Sequence, residues 1–537
     1  MSSTFGTFGT ARLGIYAAQK GLDVTGNNIT NINTPGHTRQ RLDQVSLVNS
    51  AADKFDAPGR TRVGQGVLTT GVSQLRDPGL DLLYRGAQSN AAAADQKLAG
   101  LESLARVLDE VGKGDGEQDD GVLLSQLNDL RDLISKAVTN GIDGYDSLIR
   151  SSANSLCQLF NQYAGDLSDL AVTYEQYLDQ DLAKVNTLLT NLQELNVSIR
   201  NADIRGDDAL ELRDQRNLLL DQLSGFAKID VRYTTEDVGA GLLVEKLTVS
   251  LSTGSRGTLI DGEFAAQLSR EADDPSYTLQ LHTLRDRDGQ AKDPAAPESR
   301  ALDNRDLYGS LQSLRELLTG SGEYTAQGQV AGDPDAAVRR GIPYYQKALD
   351  SLAFEFAEQM NRLNTPAADL AGKGPLFSTG SNTDATDGIT AANLSVSRSW
   401  ADGTVSMVAA GSPEAASGDT SHLAAFLALF GEKQAFDPND ITGGTGDGAA
   451  TGAVWNGTFE EMLLKIQSTL AEEQMTTTAV LDNYAATAGE LYTDRDSVSG
   501  VDLNDEAANL MIYQKAYTAS CRLMTVLEEA LDSLLAM

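Results

Sequence analysis

The sequence predicts a mainly α fold with β insertions: a discontinuous bundle of long helices built from both ends of the chain, plus an inserted β-rich segment. Three observations carry this. Apolar residues recur at steps of three or four over long stretches at both ends and in the middle. From about 228 to 305 the pattern changes to short alternating runs between Gly, Asp and Ser turns. Helical spacing then resumes at "GSLQSLRELL", so helices from both halves must share a core.

The first helix carries the stripe Phe8, Ala11, Ile15, Ala18, Leu22, Thr25, Ile29 and Ile32. Pro35 is expected to end it and Gly36 to supply a free turn. Residues 77–111 and about 120–139 read as two more helices. The strongest pattern runs from Leu156 to Ile199 without a proline, a helix of about 65 Å suited to a rod-like bundle. "DDALELRDQRNLLLDQLSGF" reads as another helix, with Gly225 as its stop. The alternating runs "KIDVRYTT", "EKLTVSLST", "GTLIDG" and "SYTLQLHTL" read as strands of a separate inserted domain. "IPYYQKALDSLAFEFAEQMNRL" is helical, residues 365–455 form a β- or loop-rich excursion, and a long helix follows from "FEEML". The last helix carries Leu503, Ala507, Leu510, Gln514, Tyr517, Cys521, Met524, Glu528, Leu531 and Leu535, with Asp502 as its N-cap. The expected division is 1–76 with 491–537 as paired terminal helices, 77–227 with 336–490 as the bundle, and 228–335 as the β-rich insertion.

Composition limits the partners. The 537 residues carry a net charge of -34, which argues against nucleic acid, because phosphate binding needs basic surface. Cys157 and Cys521 are too far apart in sequence for a disulfide framework. The longest apolar run, Leu423 to Phe430, is too short to span a membrane. The opening "MSSTFGTFGT" has neither the basic nor the apolar region of a cleaved secretory signal. The two ends differ in sign. Four basic against two acidic residues in 1–50 give +2, and seven acidic against two basic in 496–537 give -5, which favours contact between them.

Chemistry is sparse, and no enzyme activity, cofactor or metal is expected. His37, His282 and His422 sit in unrelated contexts with no HExxH spacing. "GGTGDGAATG" lacks the Lys-Ser/Thr ending of a phosphate loop, "DRDG" lacks the other ligands of a calcium loop, and there is no nucleophile elbow.

"LDVTGNNITNINTPG" with "TRQR" resembles the N-terminal motif of flagellar axial proteins, the rod, hook and hook-associated family. "DRDSVSGVDLNDEAANLMIYQKAYTASCRLMTVLEEALDSLL" is similar to their C-terminal signature. "SVSGVDLNDEAANL", "IYQKAYTAS" and "TPGHTRQRL" resemble the hook-associated members of the hook–filament junction, as do "IPYYQKALDSLA" and "AANLSVS". Two departures are His37, where the family usually has Tyr, and Cys521, where a small residue is common.

The resemblance implies a secreted, extracellular structural protein of the bacterial flagellum, exported through the type III channel and assembled as a homo-oligomeric ring. Its implied partners are the hook protein, a second hook-associated junction protein, and an export chaperone on the C-terminal helix. The terminal helices would pair into an inner tube. The implied assembly residues at the N-terminal end are Ile15, Leu22, Asn27, Asn28, Ile29, Asn31, Pro35, Gly36 and Arg39. At the C-terminal end they are Leu503, Ala507, Leu510, Tyr513, Tyr517, Met524, Leu527, Leu531 and Leu534. Side-chain amides both donate and accept, so the asparagines can satisfy backbone groups at a helix end and between subunits. The alternatives are another axial protein resembling the hook protein, or an extracellular binding or hydrolytic module on 228–335.

Overall fold

The computed structural model describes residues 4–47, 64, 66–108, 121–239, 241–252, 257–271, 274–303, 306–366, 370, 372–416 and 418–536. Helix α1 (Thr4–Thr30) is followed by an antiparallel hairpin, β1 (Gln40–Ser46) with β2 (Val67–Gln74). Four helices follow: α2 (Pro78–Leu108), α3 (Val122–Asn140), α4 (Tyr145–Arg205) and α5 (Leu210–Phe226). Strands β3 (Ile229–Asp237), β4 (Leu243–Leu251), β5 (Thr258–Asp261) and β6 (Phe264–Ala265) form one antiparallel sheet in that order. Strands β7 (Leu268–Arg270), β8 (Leu279–His282) and β9 (Ser299–Ala301) form a second. Helices α6 (Gly309–Thr319), α7 (Gln327–Gly332) and α8 (Ile342–Asn364) come next. The loop-rich stretch holds β10 (Phe377–Ser378), β11 (Ser395–Val396), α9 (Arg398–Ala401), α10 (Leu423–Leu429), β12 (Gln434–Phe436), α11 (Pro438–Thr442) and β13 (Trp455–Gly457). The chain closes with α12 (Phe459–Ser499) and α13 (Leu503–Leu535).

The axis of the fold is α4. Its 61 residues extend about 90 Å at 1.5 Å per residue. Eleven of the thirteen stripe positions from Leu156 to Ile199 are buried, with Leu170 and Leu195 half-buried. Gly206, at φ +79°, ends the helix in the left-handed conformation that a side chain would strain. The polar residues on the same face have an equally definite task. Gln193 donates to the carbonyls of Glu263 (2.7 Å) and Arg285 (2.8 Å), and Asn196 to that of Gly262 (3.0 Å). Asn186 both donates to and accepts from the backbone of Leu268, each at 2.8 Å. The helix thereby holds both sheets by their backbones.

For this reason the β segment is not a separate globule. Leu247, Val249, Leu259, Leu268 and Leu279 belong to the same buried cluster as Leu192 and Leu220 of the helices. That cluster continues through α6, α8 and the start of α12, and takes in Phe377, Trp400, Phe426 and Phe436 of the loop-rich stretch.

Several boundaries differ from expectation. Helix α1 stops at Thr30, five residues before Pro35, because the Asn31 side chain turns back onto the carbonyl of Asn27 (3.1 Å). Helix α5 passes through Gly225 and ends at Phe226. The hairpin β1–β2 lies where only terminal helix was expected. Helix α12 runs unbroken through residue 491, starting from a reciprocal Thr458–Glu461 capping box. No helix among the described residues is long and apolar enough to cross a membrane.

Candidate assembly interface

Helices α1 and α13 lie side by side, and the contact is made by small residues. A Cβ on Gly14 would lie 2.9 Å from the Ser520 hydroxyl, and one on Gly21 would lie 2.4 Å from the Tyr513 ring. Ala11, Ala17, Ala18, Thr25 and Asn28 are buried around these glycines. Close approach brings the Tyr513 ring almost onto the α1 backbone, which only glycine permits.

The sequence-derived residues are distributed as follows. Ile15, Leu22 and Ile29 are half-buried on α1, next to the buried Ala11, Ala18 and Thr25. On α13, Leu510, Tyr513, Met524, Leu527 and Leu531 are half-buried, together with Ser520 and Cys521. Tyr517, Leu503 and Ala507 are exposed, and the side chain of Leu534 lies outside the described residues. A second apolar row on α13 faces away from the core: Met511 (54% exposed), Ile512 (61%), Leu523 (41%) and Val526 (59%).

Where α1 ends, the amides build a clasp. The fully buried Asn28 donates to the carbonyl of Gln40 (2.9 Å) and accepts from its N–H (2.9 Å). One side chain thus supplies both bonds that a neighbouring strand would give the start of β1. Asn31 donates to the Asn27 side chain (2.8 Å), and Asn27 to that of Gln40 (3.2 Å). Gly36 has φ +81° and sits against Leu218 of α5; Pro35 before it is exposed. Arg39 then ties the two ends of the chain together. Its N–H reaches the Ser499 carbonyl (2.8 Å), and its guanidinium pairs with Glu506 (2.8 Å), itself only 2% exposed, and with Asp505 (3.4 Å). The Asp502 carboxylate caps α13 through the N–H groups of Asn504 and Asp505.

Helix α5 anchors this clasp to the bundle. Glu211 accepts from Gln40 (3.2 Å), and Asp214 accepts from the Thr38 N–H (3.0 Å). Burial pushes the Asp214 carboxyl above the ordinary carboxylate range, against the opposing pull of the Thr38 bonds, His37 and Arg76. His37 is enclosed here, its Nδ1 3.7 Å from Asp214. A step further along, Arg495 of α12 pairs with Asp221 of α5 (2.6 Å) and stacks 4.1 Å from the Tyr84 ring of α2. Sequence reading did not select Gly14, Gly21, Gln40, Glu211, Asp214, Ser520 or Glu506. The seven-residue spacing of Gly14 and Gly21 in a helical stretch is the signal that could have found the seam.

The other motifs resolve into structure. His422 is bonded to the Leu363 carbonyl (2.8 Å) and packs edge-on to Phe426, and His282 to the Ser269 hydroxyl (2.8 Å). Residues 443–448 fold on themselves, Gly444 lying against the Gly448 carbonyl. Among the described residues no group of three or more His, Cys, Asp or Glu side chains could hold a metal.

Comparison with known proteins agrees with this architecture. Residues 121–377 match the family described as flagellar hook-associated protein FlgK helical domain, and residues 495–537 match flagellar basal body rod FlgEFG protein C-terminal. Over its whole length the chain is 27% identical to flagellar hook-associated protein 1 of Bacillus subtilis, covering 98% of that protein. The chain is thus similar to the FlgK-type flagellar hook-associated proteins. Another relative, flagellar hook-associated protein 1 of Salmonella typhimurium, is 24% identical over 98% of each chain. The structure of the flagellar hook junction protein FlgK from Burkholderia pseudomallei aligns with 56% of this chain and 47% of its own, at 19% identity and a TM-score of 0.41. These similarities indicate a structural part in the flagellum.

Proposed function

We propose that this chain is a subunit of the hook–filament junction and assembles with copies of itself into a ring through α1 and α13. The observation that supports this most directly is the second apolar row of α13. One face of the helix is already occupied by α1, yet Met511, Ile512, Leu523 and Val526 remain exposed on the other. Apolar surface of that extent on a helix marks a contact made with another molecule. The role is structural rather than catalytic. Below the ring lies the hook protein and above it a second hook-associated protein. The chain reaches this extracellular site by flagellar type III export, and a chaperone covers the α13 row before export.

The test is the double substitution Ile512→Asp with Val526→Asp. Each side chain is already exposed in the monomer, so the melting temperature should stay within a degree or two. Burial of each in the ring would contribute about 1.5–3 kcal/mol, and a carboxylate there would be left unpaired. Ring formation and motility should therefore be lost. Normal rings from the doubly charged protein would refute the reading.

A further inference from the structure

Away from the terminal helices, a cleft of about 970 Å³ opens between α6, α8 and the segment from Thr325 to Arg339. Its size suits a small organic ligand. Its walls carry three cations and three carboxylates. Arg339 is paired with Asp333, and Asp306 accepts from Arg300 (3.4 Å). Asp303 stands exposed at the rim.

Arg315 and Lys347 have no such partner. Arg315 is 7% exposed; Nη1 donates to the Leu302 carbonyl (3.2 Å), while Nε is buried with no hydrogen-bond acceptor. It pairs with no carboxylate among the described residues. Burial pulls its pKa below the ordinary arginine value, against the opposing charges of Asp274, Asp303 and Asp333. Lys347, half-buried in the same cleft, lies 3.4 Å from the Ser321 hydroxyl, and burial lowers its pKa against the opposing charge of Asp350. Neither cation is in an ion pair among the described residues, although carboxylates stand in the neighbourhood of both. Removing a guanidinium from water is costly unless an anion compensates it, and its planar N–H edge matches the two oxygens of a carboxylate or phosphate.

We propose that this cleft binds a small organic carboxylate or phosphate, held by Arg315 and Lys347 of its lining. The site is independent of the assembly surface and of the proposal for it.

Equilibrium dialysis of the full chain against labelled inorganic phosphate, at matched chloride ionic strength, tests this. One site per chain is expected at millimolar phosphate. Arg315→Met and Lys347→Met should each weaken it at least roughly tenfold, about 1.4 kcal/mol. Thermal unfolding in chloride separates binding from folding. Arg315→Met breaks no ion pair, so it should melt close to the wild type, and it should lack the rise in melting temperature that phosphate gives the wild type. Substoichiometric binding to the wild type, or equal binding by both folded variants, overturns the proposal. A large loss of stability in Arg315→Met without phosphate overturns it too, by showing that the guanidinium is structural.

Discussion

Gly21→Ala probes the seam at its narrowest point. The added methyl would lie 2.4 Å from two carbons of the Tyr513 ring and 2.6 Å from a third. Carbon atoms in ordinary contact sit about 3.5–4.0 Å apart, so the ring must withdraw by more than 1 Å or the helices must separate. Overpacking of this kind costs roughly 1–3 kcal/mol. Against it stands the gain from replacing a mid-helix glycine by alanine, about 1 kcal/mol. The net effect is a loss of up to about 2 kcal/mol, concentrated in the pairing of α1 with α13. Gly26→Ala is the internal control. Its methyl meets nothing within 4 Å, so only the helix-propensity gain remains. Hydrogen exchange over residues 4–30 and 503–535 should quicken in Gly21→Ala and slow in Gly26→Ala. Trimming the ring, as in Gly21→Ala with Tyr513→Ala, should recover part of the loss. If Gly21→Ala protects the two helices as well as Gly26→Ala does, the seam does not govern their pairing.

Three further outcomes are expected. Asn28→Ala strands the N–H and carbonyl of Gln40; at about 1–3 kcal/mol for each buried unsatisfied group, it should lower the melting temperature by more than alanine at the exposed Asn33 does. Asp214 has a raised pKa in the folded state, so its contribution to stability is full below the unfolded carboxylate pKa and is lost as pH rises through the folded value; Asp214→Asn should flatten that part of the stability–pH curve measured by denaturant unfolding, and an unchanged slope would assign the dependence to other groups. The buried Cys157 thiol, pushed up to about 12 by burial, should resist alkylation in the native protein, while half-buried Cys521 reacts whenever α1 and α13 part; equal rates at the two thiols would contradict this.

Much of the fold was legible because burial imposes a period. The Leu156–Ile199 stripe needs an apolar residue at every inward position of α4, and that requirement is written directly in the sequence. The hairpin β1–β2 was harder to see, since its two strands are separated by twenty residues between Ser46 and Val67 and flanked by helix on both sides. The seam was invisible to a search for apolar residues. Gly14 and Gly21 contribute absence of bulk, and absence has no hydropathy. The burial of Asp214 and Glu506 was not legible, because it depends on Thr38 and Arg39 arriving from more than 170 residues away. Helix ends were misplaced where side chains decide them. Pro35 signals a stop, but the amides of Asn28 and Asn31 have already bent the backbone toward β1.

The Arg39–Glu506 pair joins positions 467 residues apart in sequence. Helix α1 has its glycines ready from the moment it is made, yet Tyr513 and Ser520, which fill them, come last. A truncated polypeptide can fold its bundle around α4 and still have nothing to set against Gly14 and Gly21. The clasp at Arg39 would close on neither Ser499 nor Glu506, leaving α1 a lone helix of 27 residues. Joining distant ends costs little more than joining near ones, about 0.6 kcal/mol per doubling of the loop. For that small entropic increment the contact acts as a check on α13: without it Gly14 and Gly21 stay uncovered and Arg39 loses Glu506.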